Sequence, residues 1–176
     1  CQSRSTAPAQ PSPSGDLVLI GTDPNEDPAR PNIKEVFVRS DADKIYFKVT
    51  SYVNWTNDII FNLFLDEDQN AKTGTPWFAT TGSIGYDRNI AVYLVDGVKN
   101  AIIYTQKPGT TQIVDIYVVD SILQPNSNVI EFSINRKDIG NPKAIDFIAH
   151  IDFDFKYRDD APDTGYYTYK LDGTSN

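Results

Sequence analysis

The sequence holds one cysteine, one histidine and no methionine. A single thiol cannot close an internal disulfide, so the fold must stand on its own core. Nucleophilic catalysis finds no footing, because the lone His150 has no serine or cysteine motif beside it, and "TGSIG" (Thr81 to Gly85) is not the G-x-S-x-G elbow. Basic residues are scarce: 16 Lys and Arg face 24 Asp and Glu, the net charge is −8, and no basic cluster occurs. Nucleic acid is thereby excluded as a partner, since phosphate binding needs a Lys/Arg footprint. No apolar run approaches the roughly 18 residues of a membrane-spanning helix. No long amphipathic helical period exists either, which excludes α/β folds. Carboxylate pairs of the kind glycosidases use are unavoidable in so acidic a chain. Here they fall on turns with metal-like spacing, and no second domain is available to form a cleft, so an enzyme is not expected.

What is present describes a folded domain. The chain has 176 residues, 40% of them apolar and 12% aromatic, enough for one domain with a sizeable core. Residues 1–15, "CQSRSTAPAQPSPSG", contain three prolines, one charge and no large apolar side chain. That stretch reads as an extended tether. Cys1 followed by small and Ser/Thr/Pro-rich residues is similar to the mature start of a lipoprotein, so Cys1 is expected to carry a lipid, the only contact with a membrane. A thiol for pairing between chains and an arbitrary start to the sequence are the other readings. Residues 16–32 form an N-terminal strand, "DLVLIGT" (Asp16 to Thr22), and a turn-rich break, "DPNEDPARP", in which Pro24, Pro28 and Pro31 exclude helix and central strand.

From residue 33 to 176 the hydrophobic period is two. In "KIYFKVTSYV", Ile45, Phe47, Val49 and Val53 alternate with Lys44, Tyr46, Lys48, Thr50 and Tyr52. "DIIFNLFL" puts Ile59, Phe61, Leu63 and Leu65 on one face. "RNIAVYLVDGVKNAIIYT" reads as a hairpin turning at Asp96-Gly97. "TQIVDIYVVD", "NVIEFSI", "AIDFIAHIDFDFKY" and "GYYTYKL" supply further strands, and "SINRKDIGNP" has room for one short helical turn. About ten strands separated by Gly, Pro, Asn and Asp turns predict an all-β, antiparallel sandwich of jelly-roll or immunoglobulin-like type.

The most informative stretch is "FNLFLDEDQNAKTG" (Phe61 to Gly74), where a core strand runs into Asp66, Asp68 and Asn70. Oxygen-bearing side chains at i, i+2 and i+4 turn toward one point in a tight loop, as in the first half of an EF-hand. The second half is missing, because Ala71 stands where the EF-hand needs glycine and Trp77 where it needs glutamate. A hard cation such as Ca2+ is still expected, with further oxygens from backbone carbonyls and a distant side chain. Asp87, in "GSIGYDRN", is the best distant donor, beside Gly82 and Gly85, which allow close backbone approach. The competing reading is a solvated turn held by Asx hydrogen bonds.

"FNLFLDEDQNAKTG" followed by "GSIGYDRNIAVYL" resembles the family-nine-like carbohydrate-binding modules and the related DOMON β-sandwiches. In those, an apolar strand enters a D-x-D-x-N-x-x-T-G loop, then a G-x-D-Y/R segment and another strand. "DKIYFKVTSYVNW", "NVIEFSINRKDIG" and "DDAPDTGYYTYKL" fit the flanking pieces, so the resemblance spans roughly residues 33–171. It implies Asp66, Asp68, Asn70 and Asp87 as calcium donors, although the order Gly85-Tyr86-Asp87 departs from the commoner G-x-D-Y. It also implies a secreted or surface-displayed module. Some DOMON relatives bind haem through Met or His; with no Met and one His, haem is not expected here.

Other candidates are weaker. Asp152, Asp154, Asp159 and Asp160 in "IDFDFKYRDDAPDTG", near His150 and Asp163, suggest a second cation site or simply a wet sheet face. Asp23, Asn25 and Asp27 repeat the i, i+2, i+4 spacing, but flanking prolines favour a rigid solvated turn. Sugars are bound by aromatic stacking. Trp77, Phe78 and Tyr86 beside the acidic loop are the candidates, with Trp55 and Tyr52 a second pair unless Trp55 plugs one end of the sandwich. Asn54-Trp55-Thr56 is an N-glycosylation sequon. The expectation is a non-catalytic, calcium-binding β-sandwich outside the cell that recognises polysaccharide. The alternative is a subunit of an extracellular filament, in which residues 16–22 act as a donor strand completing the sheet of a neighbouring copy.

Overall fold

The structure, a computed structural model, describes residues 16–56, 58–76, 84–95, 98–106, 113–118, 120–123, 127–154 and 156–171, with residues 94–126 given by backbone alone. The expected all-β antiparallel sandwich is what forms. One sheet contains β1 (Val18–Thr22), β2 (Ile33–Ser40), β3 (Lys44–Ser51), β11 (Val129–Asn135) and β10 (Asp120–Leu123), in the order β1-β2-β3-β11-β10. The other contains β4 (Ile59–Asp66), β7 (Arg88–Val95), β8 (Val98–Gln106), β9 (Ile113–Val118), β12 (Ala144–Phe153), β13 (Tyr157–Ala161) and β14 (Tyr167–Lys170). Its order is β13-β12-β4-β7-β8-β9, with β14 also pairing with β12. A two-residue ladder, β5 (Thr75–Pro76) with β6 (Gly85–Tyr86), lies outside both.

The period of two explains the core. Ile45, Phe47 and Val49 of β3 and Ile130, Phe132 and Ile134 of β11 bury from one sheet; Phe61, Leu63 and Leu65 of β4 and Phe147, Ala149 and Ile151 of β12 bury from the other. Rings interlock across the gap: Phe47 meets Phe147 edge-on with centroids 5.6 Å apart, and Phe61 meets Phe132 at 5.8 Å. Each such phenyl group contributes about 1.5–3 kcal/mol through burial. Trp55 is also buried, edge-on to Phe61, and so plugs the core rather than presenting a stacking surface.

The structure corrects the expected strand count and the reading of the N-terminal strand as detached. Fourteen strands occur among the described residues. The excess over about ten comes from short pieces such as β5 and β6, and from β13, most of which falls in a stretch that the sequence reads as loop. The N-terminal strand is not detached: β1 pairs antiparallel with β2 of the same chain, Val18 opposite Val38 and Thr22 opposite Glu35. Gly21 of β1 faces the ring of Tyr167, and a Cβ there would lie 2.5 Å from Tyr167 Cε1, so this glycine lets the two sheets approach at their edge. The short helical turn is present as a 3-10 turn, Arg136–Ile139. Strands β7 and β8 pair down to Val95 opposite Val98; the proposed turn residues Asp96 and Gly97 lie outside the described residues.

Candidate metal centre

Strand β4 is central in its sheet, between β12 and β7, and its last residue, Asp66, is only 2% exposed. A strand buried on both faces has to deliver its end to the loop without water, which places a carboxylate where it is poorly solvated. The chain then turns through Asp68, Gln69 (φ 54°) and Asn70 and comes back as β5 against β6. This return is tight: a Cβ on Gly85 would lie 2.1 Å from the carbonyl oxygen of Thr73, so Gly85 is the glycine that the crossing needs. Gly82, the other glycine expected to help, lies outside the described residues. The crossing carries Asp87 to the loop, where its N–H donates to the Leu65 carbonyl (2.8 Å) and its Oδ2 accepts the Glu67 N–H (3.0 Å).

Three of the four expected donors therefore converge. Asp66, Asp68 and Asp87 each offer a carboxylate oxygen within 4.8 Å of the others. Asn70 takes part differently. Its N–H donates to Asp68 Oδ1 (2.9 Å) and Asp66 Oδ1 (3.2 Å), while its side-chain oxygen accepts the Lys72 N–H (3.2 Å). Sequence reasoning missed Thr73, whose hydroxyl bonds Asp68 at 2.8 and 3.0 Å; the T of the D-x-D-x-N-x-x-T-G pattern was the available signal. Gln69 was missed too, and its side-chain amide anchors the loop to Asp146 on β12 (3.0 Å).

No Lys, Arg or His among the described residues pairs with the three acids. Arg88, next to Asp87 in the chain, pairs with Glu67 (2.9 Å). Burial pushes the Asp66 carboxyl up to about 7; the hydrogen bond with Asp68 and the charges of Asp87 and Asp68 push the same way, while the Asn70 N–H opposes them. Asp87 is raised as well, by burial first and then by the charges of Asp68 and Glu67, against the hydrogen bond from the Glu67 N–H. Oxygens separated by up to about 4.8 Å can share one ion at about 2.4 Å from each, the calcium–oxygen distance. The donor set is all hard oxygen, which fits Ca2+ and gives thiolate- or imidazole-seeking metals nothing to hold.

The second expected set is not brought together. Alternation along β13 sends Asp159 and Asp160 to opposite sides. Asp160 Oδ1 meets His150 Nδ1 (2.7 Å), whereas Asp159 Oδ2 accepts the Ile33 N–H (2.6 Å) at the first sheet. Asp152 Oδ2 takes His150 Nε2 (3.1 Å), and Asp154 sits in the following turn near Lys156 (3.5 Å). The buried His150 is thus clamped between two carboxylates. Burial alone would lower its pKa, but the hydrogen bonds and charges of Asp152 and Asp160 prevail and raise it.

Of the aromatic candidates, Tyr86 is buried against Phe64 (4.7 Å between centroids), and Trp77 and Phe78 lie outside the described residues. Tyr52 is exposed, with its hydroxyl donating to the Asp23 carbonyl (2.9 Å). Asn54 of the sequon is exposed, and Cys1 lies outside the described residues. In the Pro-rich turn, Asn25 Oδ1 accepts from Asn32 (3.1 Å), and Asp27 accepts the Ala29 N–H (3.0 Å) and pairs with Arg30 (3.0 Å), so neither is free to ligate beside Asp23. No family model, no curated protein and no solved structure matches the chain.

Proposed function

We propose that this chain is a non-catalytic β-sandwich displayed outside the cell, which binds Ca2+ in the loop at the end of β4 and recognises polysaccharide. The observation that carries the calcium reading is the convergence of Asp68 and Asp87 on the buried Asp66, with no Lys, Arg or His among the described residues paired with them. An ion there would lock the β4–β5 loop to the segment carrying Asp87. The buried, doubly bonded His150 supports a non-catalytic reading, because neither ring nitrogen is free to move a substrate proton. The composition of residues 1–15, rich in Pro and Ser and without a large apolar side chain, supports a spacer between the domain and a surface. Polysaccharide recognition rests on the resemblance to carbohydrate-binding modules and on the aromatic pair Trp77 and Phe78, which follows the acidic loop in the sequence.

The filament is the lesser reading, because β1 already has a partner within its own chain and would have to leave β2 to complete another copy. Calcium binding is tested by thermal unfolding in Ca2+ and in EDTA: chelation should lower Tm, and an Asp66→Ala/Asp68→Ala variant should show a smaller response than wild type. A glycan array tests recognition. Trp77→Ala should lose most of the signal, and an unchanged profile would remove Trp77 from the site.

A further inference from the structure

A second group of acids gathers where the edges of the two sheets meet. Asp23 follows β1, Glu26 lies in the Pro-rich turn, and Asp163 lies in the loop between β13 and β14. One carboxylate oxygen of each lies within 4.8 Å of the other two. Glu26 and Asp163 are exposed, but Asp23 is only 4% exposed, and its Oδ2 is buried with no hydrogen-bond partner. A buried carboxylate without a donor or cation is costly. Protonation would remove the charge yet still leave Oδ2 without a hydrogen bond. A cation between the three groups would satisfy both needs, because oxygens within 4.8 Å of one another can reach a common ion.

The basic side chains nearby are used elsewhere. Arg30 pairs with Asp27 (3.0 Å) and lies over the Tyr157 ring, Arg158 pairs with Asp152 (3.3 Å), and Lys156 with Asp154 (3.5 Å). Asp159 adds a further carboxylate to the open groove of about 490 Å³ that Glu26 and Asp163 line. Burial, then the charges of Asp159, Asp163, Glu26 and Asp160, push Asp23 up to about 8. The same field, after burial, raises the Tyr167 hydroxyl to about 12.

We propose that Asp23, Glu26 and Asp163 form a second Ca2+ site, which ties the end of β1 in one sheet to the β13–β14 loop of the other. Three carboxylates with carbonyls and water suit the large, adaptable shell of Ca2+ better than the strict octahedron of Mg2+. The site stands apart from the β4 loop and does not depend on it. Its consequence is mechanical: the first strand, held on one side by β2, gains an anchor at its end.

The test is to count bound Ca2+ per chain by equilibrium dialysis at about 1 mM Ca2+, within the range of extracellular modules, at pH 9, where the carboxylates are ionised. The Glu26→Gln/Asp163→Asn variant alters only exposed side chains, so folding is not at stake. It should bind one ion fewer than wild type, and the same loss should appear in an Asp66→Asn/Asp68→Asn background. Asp23→Asn should do likewise. Hydrogen exchange at the amides of Val18–Thr22 should slow with Ca2+ in that background and no longer respond once Glu26→Gln/Asp163→Asn is added. An ion count unaffected by Glu26→Gln/Asp163→Asn overturns the proposal. Failure of the β4-loop site looks different: the Asp66→Asn/Asp68→Asn change would then leave the count as it was.

Discussion

Replacing Asp66 by asparagine should stabilise the metal-free protein and weaken its response to calcium, two effects of opposite sign from one atom. The substitution keeps the shape of the side chain and an oxygen to accept the Asn70 N–H, now 3.2 Å from Oδ1, while removing the charge. In the fold the carboxyl is pushed from its ordinary 3.8 to about 7 by burial and by its acidic neighbours. Between those values the folded chain holds a proton that the unfolded chain has released, so stability falls as pH rises and stays lowered above about 7. At about 1.4 kcal/mol for each pH unit of displacement, the ionised carboxylate costs the metal-free fold up to about 4 kcal/mol at pH 8. Asp66→Asn should therefore gain about 2–4 kcal/mol over wild type in EDTA at pH 8 and almost nothing at pH 4. Calcium offsets that lead, because an ion bound only by the folded state adds about 3 kcal/mol to wild type at a hundredfold excess over Kd and about 4 kcal/mol at a thousandfold excess, and the variant has lost a ligand. Urea unfolding of both proteins, in EDTA and in Ca2+, at the two pH values measures all of this. The wild-type minus variant difference cancels the similar titration of Asp23 and Asp159. Equal destabilisation of Asp66→Asn at pH 4 and pH 8 in EDTA would refute the electrostatic reasoning, because the carboxylate would then be a structural acceptor and nothing more.

Other outcomes follow from the same geometry. Phe47→Ala removes a ring that contacts Phe132 at 5.1 Å and Phe147 at 5.6 Å, and should cost about 3–5 kcal/mol in denaturant unfolding. Gly85→Ala drives a methyl group into the Thr73 carbonyl at 2.1 Å; it should uncouple Asp87 from the loop and weaken calcium binding at least tenfold by calorimetry, with a smaller effect on the metal-free fold. His150 should titrate above 6.5 by NMR, since the carboxylates outweigh burial. The stability it contributes is complete below about 6.5 and fades as pH rises through the raised folded value, and Asp160→Asn should lower that value.

The fold was legible in the sequence because alternation survives at a β-sheet surface. Ile45, Phe47 and Val49 were read to one face, and all three are buried. What alternation cannot show is which outer face is covered. Asn62, Phe64 and His150 sit on the side of the second sheet away from its partner sheet and are buried all the same, beside Tyr86. Strand breaks decide the acids. Because β13 is a strand of its own, neighbouring Asp159 and Asp160 part company, one to the first sheet and one to His150. Asp23 and Asp163, 140 positions apart in the chain, meet only because β1 and β14 border one another.

The i, i+2, i+4 spacing itself occurs at two places, Asp23-Asn25-Asp27 and Asp66-Asp68-Asn70, and it does not distinguish them. Nearby backbone and side-chain partners do. In the first, Asn25 and Asp27 are taken up by Asn32, Ala29 and Arg30. In the second, Asn70 gives its side chain to Lys72 while Asp66 and Asp68 face Asp87. Spacing brings oxygens near one another, but the third carboxylate of each cluster has to come from elsewhere in the fold, Asp87 in one case and Asp163 in the other. That is why both proposed centres combine a pair or a single acid from one turn with an acid from a distant one.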